Sequence, residues 1–174
     1  KRIFARTGGP EPEPFEIITV PGRVLMFFEK DHGWRQIWTD GRKLSDDPPE
    51  LRFDGYSVGR WEGDTFIVDS NGFNDKLWLD YYGDPHSEQL HLTERYQRLD
   101  KDTLSIQVTI NDPKAYTKPW VGKPIRYSSR PRVDLGTGRL PGYDANGPEF
   151  RGGRRDGLRP GKQRYRALRP EGSV

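Results

Sequence analysis

Between Tyr56 and Asp75 the chain reads Tyr-Ser-Val-Gly-Arg-Trp-Glu-Gly-Asp-Thr-Phe-Ile-Val-Asp-Ser-Asn-Gly-Phe-Asn-Asp, which spells two extended segments and the turn between them. Glu62-Gly63-Asp64 supplies the turn, since a glycine enters the left-handed region at little cost, and Thr65-Phe66-Ile67-Val68 carries the branched and aromatic side chains that suit a pleated backbone. The same pattern recurs on either side, so the chain reads as a β-meander. Phe15 to Val20 forms a strand, Pro21-Gly22 a turn and Arg23 to Glu29 the returning strand. Asp31-His32-Gly33 breaks it, and Arg35 to Thr39 is the third strand. The hairpin gives strands four and five. Leu90 to Leu99 and Thr103 to Ile110 pair across Asp100-Lys101-Asp102, and Trp120 to Tyr127 is an eighth strand. Eight short strands in sequence order suit an all-β, up-and-down antiparallel meander: a calycin-like barrel, which leaves no exposed edge, or a strongly curled sheet.

Alternation with period two assigns the faces. Leu104, Ile106, Val108 and Ile110 point to the core, while Ser105, Gln107 and Thr109 face water. In the partner strand Leu90, Leu92 and Tyr96 fall on the apolar face and His91, Thr93, Arg95 and Gln97 on the polar one. Glu94 lands among the apolar residues. A carboxylate buried there without a partner costs several kcal/mol, so it is paired, protonated or exposed by a twist. Arg35, in phase with Ile37, and Arg60, in phase with Val58, are the cations able to reach in and meet it. A ligand-facing Glu94 is the alternative.

Composition limits the function classes. The apolar fraction of the 174 residues is only 32%, with 20 Gly and 15 Pro, so the five Trp, eight Tyr and eight Phe are expected to supply much of the core. Trp61 is read as one of these core aromatics. With no cysteine, disulfides and thiolate metal sites are excluded. The longest apolar run, Val24 to Phe28, is strand length and far below the roughly 20 residues that span a bilayer.

The three histidines resemble no metal-ligand set: His86 and His91 are five apart across a loop-to-strand boundary, and neither metal nor cofactor is expected. A Ser/His/Asp group can be assembled from Ser87, His86 or His32, and Asp69 or Asp112, but no Gly-x-Ser-x-Gly elbow accompanies it. Loop histidines more often cap turns. His32 and His86, at strand ends, are also placed to rim a barrel mouth, where ligand sites concentrate. Gly59-Arg60-Trp61 invites comparison with the Gly-x-Trp signature of lipocalins, but there the motif lies on the first strand and here on the fourth, leaving an analogy of fold type.

Four blocks carry a more specific resemblance: Asp31-His32 with Arg35 to Arg42; Gly59 to Thr65 with Val68-Asp69 and Gly72 to Asp75; His86-Ser87 with Leu90-His91 and Glu94-Arg95; and Asp112 to Trp120. Over Pro14 to Tyr127 the chain resembles a large family of bacterial proteins, commonly predicted to be exported, that carries no established activity. The resemblance implies a periplasmic or extracellular location, with a leader outside this chain, and marks His32, Arg35, Asp69, His86, Ser87, Glu94, Arg95, Asp112 and Trp120 as motif residues.

Past residue 127 the pattern stops. Residues 1–127 carry a net charge of −3 and residues 128–174 one of +6, with nine Gly, five Pro and seven Val, Leu, Ile, Phe or Met in those 47 positions, about 15%. Such a segment is expected to be a disordered tail to a 14–127 β-domain. It reads either as out-of-frame text from GC-rich DNA or as a basic arm that binds nucleic acid or an acidic surface through Arg130, Arg132, Arg139, Arg151, Arg154 and Arg155.

Three function classes follow. The favoured one is a binding module that holds a small apolar or amphipathic molecule in an aromatic-lined barrel, with His32, Arg35, Arg60, Asp69, His86, Glu94 and Trp120 as candidate ligand contacts. The second is an enzyme in the same cavity, using His32 or His86 as base beside Asp69, Asp112 or Glu94. The third is an envelope protein without a cavity, which a barrel filled by its own aromatics would favour.

Overall fold

The computed structural model describes residues 14–29, 32–80 and 82–129, together with the backbone of residues 164–165. It is all-β, and among the described residues no helix is long and apolar enough to cross a membrane. Among the described residues ten strands run in order: β1 Phe15–Val20, β2 Arg23–Phe28, β3 Trp34–Trp38, β4 Tyr56–Glu62, β5 Thr65–Asn71, β6 His91–Arg98, β7 Thr103–Asn111, β8 Trp120–Val121, β9 Ile125–Ser129 and β10 Arg164–Tyr165. β1 to β7 lie side by side in chain order, with β8 and β9 both on the far edge of β7. This is the expected up-and-down meander, curled strongly into a half-barrel.

The turn chemistry is as expected, with Gly63 at φ 58 between β4 and β5. The expected eighth strand is split in two, because Gly122 to Pro124 interrupts it. Its second half runs two residues past Tyr127. β10 pairs in parallel with Ser128–Ser129 at the end of β9. The rest of the expected tail, and residues 1–13, lie outside the described residues.

The inward residues of successive strands make one core on the concave face. Phe15 and Ile17 come from β1, Val24, Met26 and Phe28 from β2, Ile37 from β3, and Phe66 and Val68 from β5. Leu92 and Tyr96 of β6, the four even residues of β7, and Tyr127 of β9 complete it. Curling brings the two ends of the sheet together, so that Phe15 meets Tyr127 edge-on at 5.0 Å between ring centroids. The aromatic core is therefore built from Phe and Tyr. The tryptophans, expected inside, are not there: Trp34, Trp61, Trp78 and Trp120 are exposed and Trp38 is half-buried. Trp61 faces the same way as Ser57, but it sits at the end of β4, 43% exposed, with its ring 5.1 Å from that of Phe66.

One junction departs from regular pairing. β3 and β4 run parallel and share a single partnered position, Trp38 with Val58, whereas β4 and β5 are paired along all seven residues. The connection through residues 39–55 carries the chain back to start β4 in the same direction as β3. From that one shared position the two strands diverge.

A cleft at the β3–β4 junction

Divergence leaves a cleft of about 410 Å³, lined by Trp34, Arg35, Gln36 and Trp38 from β3 and by residues 52–57 leading into β4. The second wall is tied to the end of β5. Arg52 N–H donates to the Gly72 carbonyl (2.8 Å), and Asn74 N–H donates to the Arg52 carbonyl (2.9 Å). Gly55 permits this approach, since at φ 59 a Cβ would lie 2.5 Å from the Asn71 carbonyl oxygen.

At the inner side of the cleft lies a polar network set into the apolar face. Arg35 Nη2 meets Glu94 Oε2 at 2.5 Å, and both side chains are largely buried. The same nitrogen donates to Ser70 Oγ (2.8 Å) and Ser57 Oγ (3.0 Å), and Nε donates to Ser57 Oγ (3.2 Å). The two serine hydroxyls are 2.9 Å apart. Tyr96 donates to Glu94 Oε1 at 3.0 Å and lies 3.7 Å from Met26 Sδ. Burial opposes the Arg35 charge, but Glu94 foremost, with Tyr96 and Asp54, outweighs it and holds the guanidinium more firmly protonated than in water. Burial, and then the Glu94 carboxylate, push the Tyr96 hydroxyl well above its ordinary range. The described residues offer no partner to Arg35 Nη1, and the side chain remains 13% exposed at the cleft.

The outer rim is aromatic and cationic. The Arg42 guanidinium lies 3.7 Å from the centroid of the Trp38 ring, and Arg52 lies 4.7 Å from that of Tyr56. Both cations also have carboxylates, Asp40 for Arg42 and Glu50 for Arg52.

Of the seven expected ligand contacts, this arrangement joins Arg35 and Glu94. Arg60 and Asp69 form a separate pair on the outer face, where Thr93 also donates to Asp69 Oδ1 (2.7 Å). Arg60 thus does not meet Glu94. His32 is exposed in the β2–β3 turn with φ 47, and Trp120 is half exposed on β8 beside Ile110. His86 is buried in the loop before β6, edge-on to Phe73 at 6.5 Å.

The Ser/His/Asp group does not assemble as a nucleophilic device. Ser87 Oγ donates to Asp112 Oδ1 (2.7 Å), Ser87 N–H binds the other carboxylate oxygen (2.6 Å), and His86 Nδ1 lies 3.1 Å from the Ser87 carbonyl oxygen. The imidazole does not contact the hydroxyl it would have to activate. Asp112 instead caps the turn that follows β7, accepting from Lys114 and Ala115 N–H. Burial pushes its carboxyl up, but the bonds from Ser87 and these amides prevail and hold it below the usual carboxylate range.

Ser57, Ser70 and the aromatic rim were not among the expected site residues. A signal existed for the serines. Ser70 is in phase with Phe66 and Val68, so it is a polar residue on an inward face for the same reason as Glu94. Compared with models of protein families, with curated proteins and with solved structures, the chain matches none.

Proposed function

We propose that this protein is a binding module for a small amphipathic molecule, and that the ligand sits in the β3–β4 cleft instead of inside the curl. The single observation that supports this is Arg35. A buried carboxylate and two serines hold its guanidinium rigid, while one edge of it faces a cleft of a size typical of small-molecule sites, roughly 300–1,000 Å³. Such preorganisation lowers the entropy lost when a ligand acceptor meets Arg35 Nη1 or the neighbouring Ser57. Glu94 then acts through Arg35, as a positioning residue. The inward residues of the curl are buried against one another. We read the protein as exported, on the resemblance of its four sequence blocks.

Native mass spectrometry of protein purified from its own host tests the binding reading. A co-purifying small molecule is expected with the unaltered chain and should be lost with Trp34→Ala, whose exposed ring lines the cleft. Retention of the molecule by that variant, or no bound molecule in any preparation, would overturn the assignment.

A further inference from the structure

We infer that the molecule held in the β3–β4 cleft is a saccharide without net charge; this rests on the cleft being the binding site. The inference comes from what each wall can offer. Trp38 and Tyr56 already carry guanidinium groups on their rings, whereas Trp34 and Phe53, 58% and 47% exposed, have no ring partner among the described residues. These two rings are the stacking platforms the cleft has left. An aromatic face is electron-rich, so it favours groups bearing weakly positive hydrogens, and the C–H patch on one face of a sugar ring is such a group.

Charge decides between ligand classes. Of the cations at or beside the cleft, Arg35 has Glu94, Arg52 has Glu50 and Arg42 has Asp40, while Arg23, 5.9 Å over the Trp38 ring, bonds to Gln36 instead. Asp54 adds a further acidic group to the lining. An anionic ligand therefore finds no surplus positive charge. A purely apolar one would strip water from the exposed edge of Arg35 and from Gln36 without replacing their hydrogen bonds, at a cost of about 1–3 kcal/mol for each unsatisfied group. A sugar has an apolar face for Trp34 and Phe53 and a rim of adjacent hydroxyls. Planar groups such as the Arg52 guanidinium, the Asp54 carboxylate and the Gln36 amide bind hydroxyl pairs two atoms at a time.

Calorimetric and tryptophan-fluorescence titrations of the full chain test this with two probe sets. One is neutral: tetraoses of β-1,4-glucose, α-1,4-glucose, xylose and N-acetylglucosamine. The other is anionic and apolar: dodecanoate and indole-3-acetate. At least one tetraose is expected to bind, with Kd rising at least about tenfold in Trp34→Ala and in Phe53→Ala. Trp78→Ala, exposed and away from the cleft, should leave Kd unchanged. Anionic probes that bind in a Trp34-dependent way while no tetraose does would overturn the saccharide assignment and leave the cleft standing. Tetraose binding indifferent to Trp34 and Phe53, or no binding by any probe, would overturn both.

Discussion

Two arginine–carboxylate pairs sit on opposite faces of the same part of the sheet, and their surroundings give them different roles. Arg35–Glu94 lies on the concave side among core residues, and Arg60–Asp69 on the convex side with Arg60 half exposed. Residue types and approximate spacing do not distinguish them; both arginines were candidates to meet Glu94. The face of the strand does. On the outside, water screens the attraction and either charge can be resolvated, so such a pair contributes little. On the inside, Glu94 has no water to return to and Arg35 meets it only at the edge facing the cleft, so each depends on the other.

The largest expected effect comes from breaking the inner pair. Glu94→Ala leaves the Arg35 guanidinium buried without its carboxylate and should destabilise the domain by about 3–5 kcal/mol in urea melts. Glu94→Gln keeps the shape and should cost distinctly less. Equal, small losses for both variants would mean that Arg35 swings out into the cleft and that the pair is not a fixed element.

Tyr96 sharpens the same contrast through pH. Its hydroxyl bonds to a buried charged group, so Tyr96→Phe should cost about 1.5–3 kcal/mol at neutral pH. Because its folded-state pKa is raised above the unfolded value, the stability it contributes is complete below the ordinary tyrosine range, near 10. Above that, the unfolded chain ionises first and the contribution is lost with rising pH. Stability measured from pH 8 to 11 should therefore fall more steeply for the unaltered chain than for Tyr96→Phe, and parallel curves would contradict it.

Two glycines of one hairpin carry the inner and outer contrast into packing. At Gly59 a Cβ would stand 2.4 Å from the Phe66 ring and 2.9 Å from an Ile37 methyl, so Gly59→Val overpacks the concave face and should cost about 1–3 kcal/mol. At Gly63 nothing lies within 4 Å, and only the positive φ objects. Gly63→Val should cost about 1 kcal/mol. A larger loss at Gly63 than at Gly59, read from melting temperatures, would reverse the assignment of faces along β4.

The inner face was legible where alternation was clean. The even residues of β7 and the misplaced carboxylate at Glu94 pointed directly to a buried partner, because period two leaves a side chain only two directions. The same rule located Arg35, in phase with Ile37, and implied that Trp34 and Trp38 face outward. Expecting tryptophans inside followed their hydrophobicity instead of their phase. The cleft itself had no local signature. It arises because the loop 39–55 returns the chain parallel to β3, and the bonds that set this, from Arg52 to Gly72 and Asn74, join residues about twenty apart through the backbone. Backbone pairing of that kind leaves no trace in side-chain pattern.

The outer pair gives the smallest effect, and its value lies in its dependence on salt. Arg60 is also bonded to Glu62, and Asp69 to Thr93, so neither group is left alone when the other is removed. Arg60→Ala should cost less than about 1 kcal/mol at low ionic strength. Near 1 M salt, where the screening length falls to roughly 3 Å, even that difference should shrink toward zero. The loss from Glu94→Ala should persist under the same conditions, because ions cannot enter the packed face to screen it. If the two variants responded alike to salt, the Arg35–Glu94 network would have to be hydrated, and the rigid guanidinium on which the cleft assignment depends would lose its physical basis.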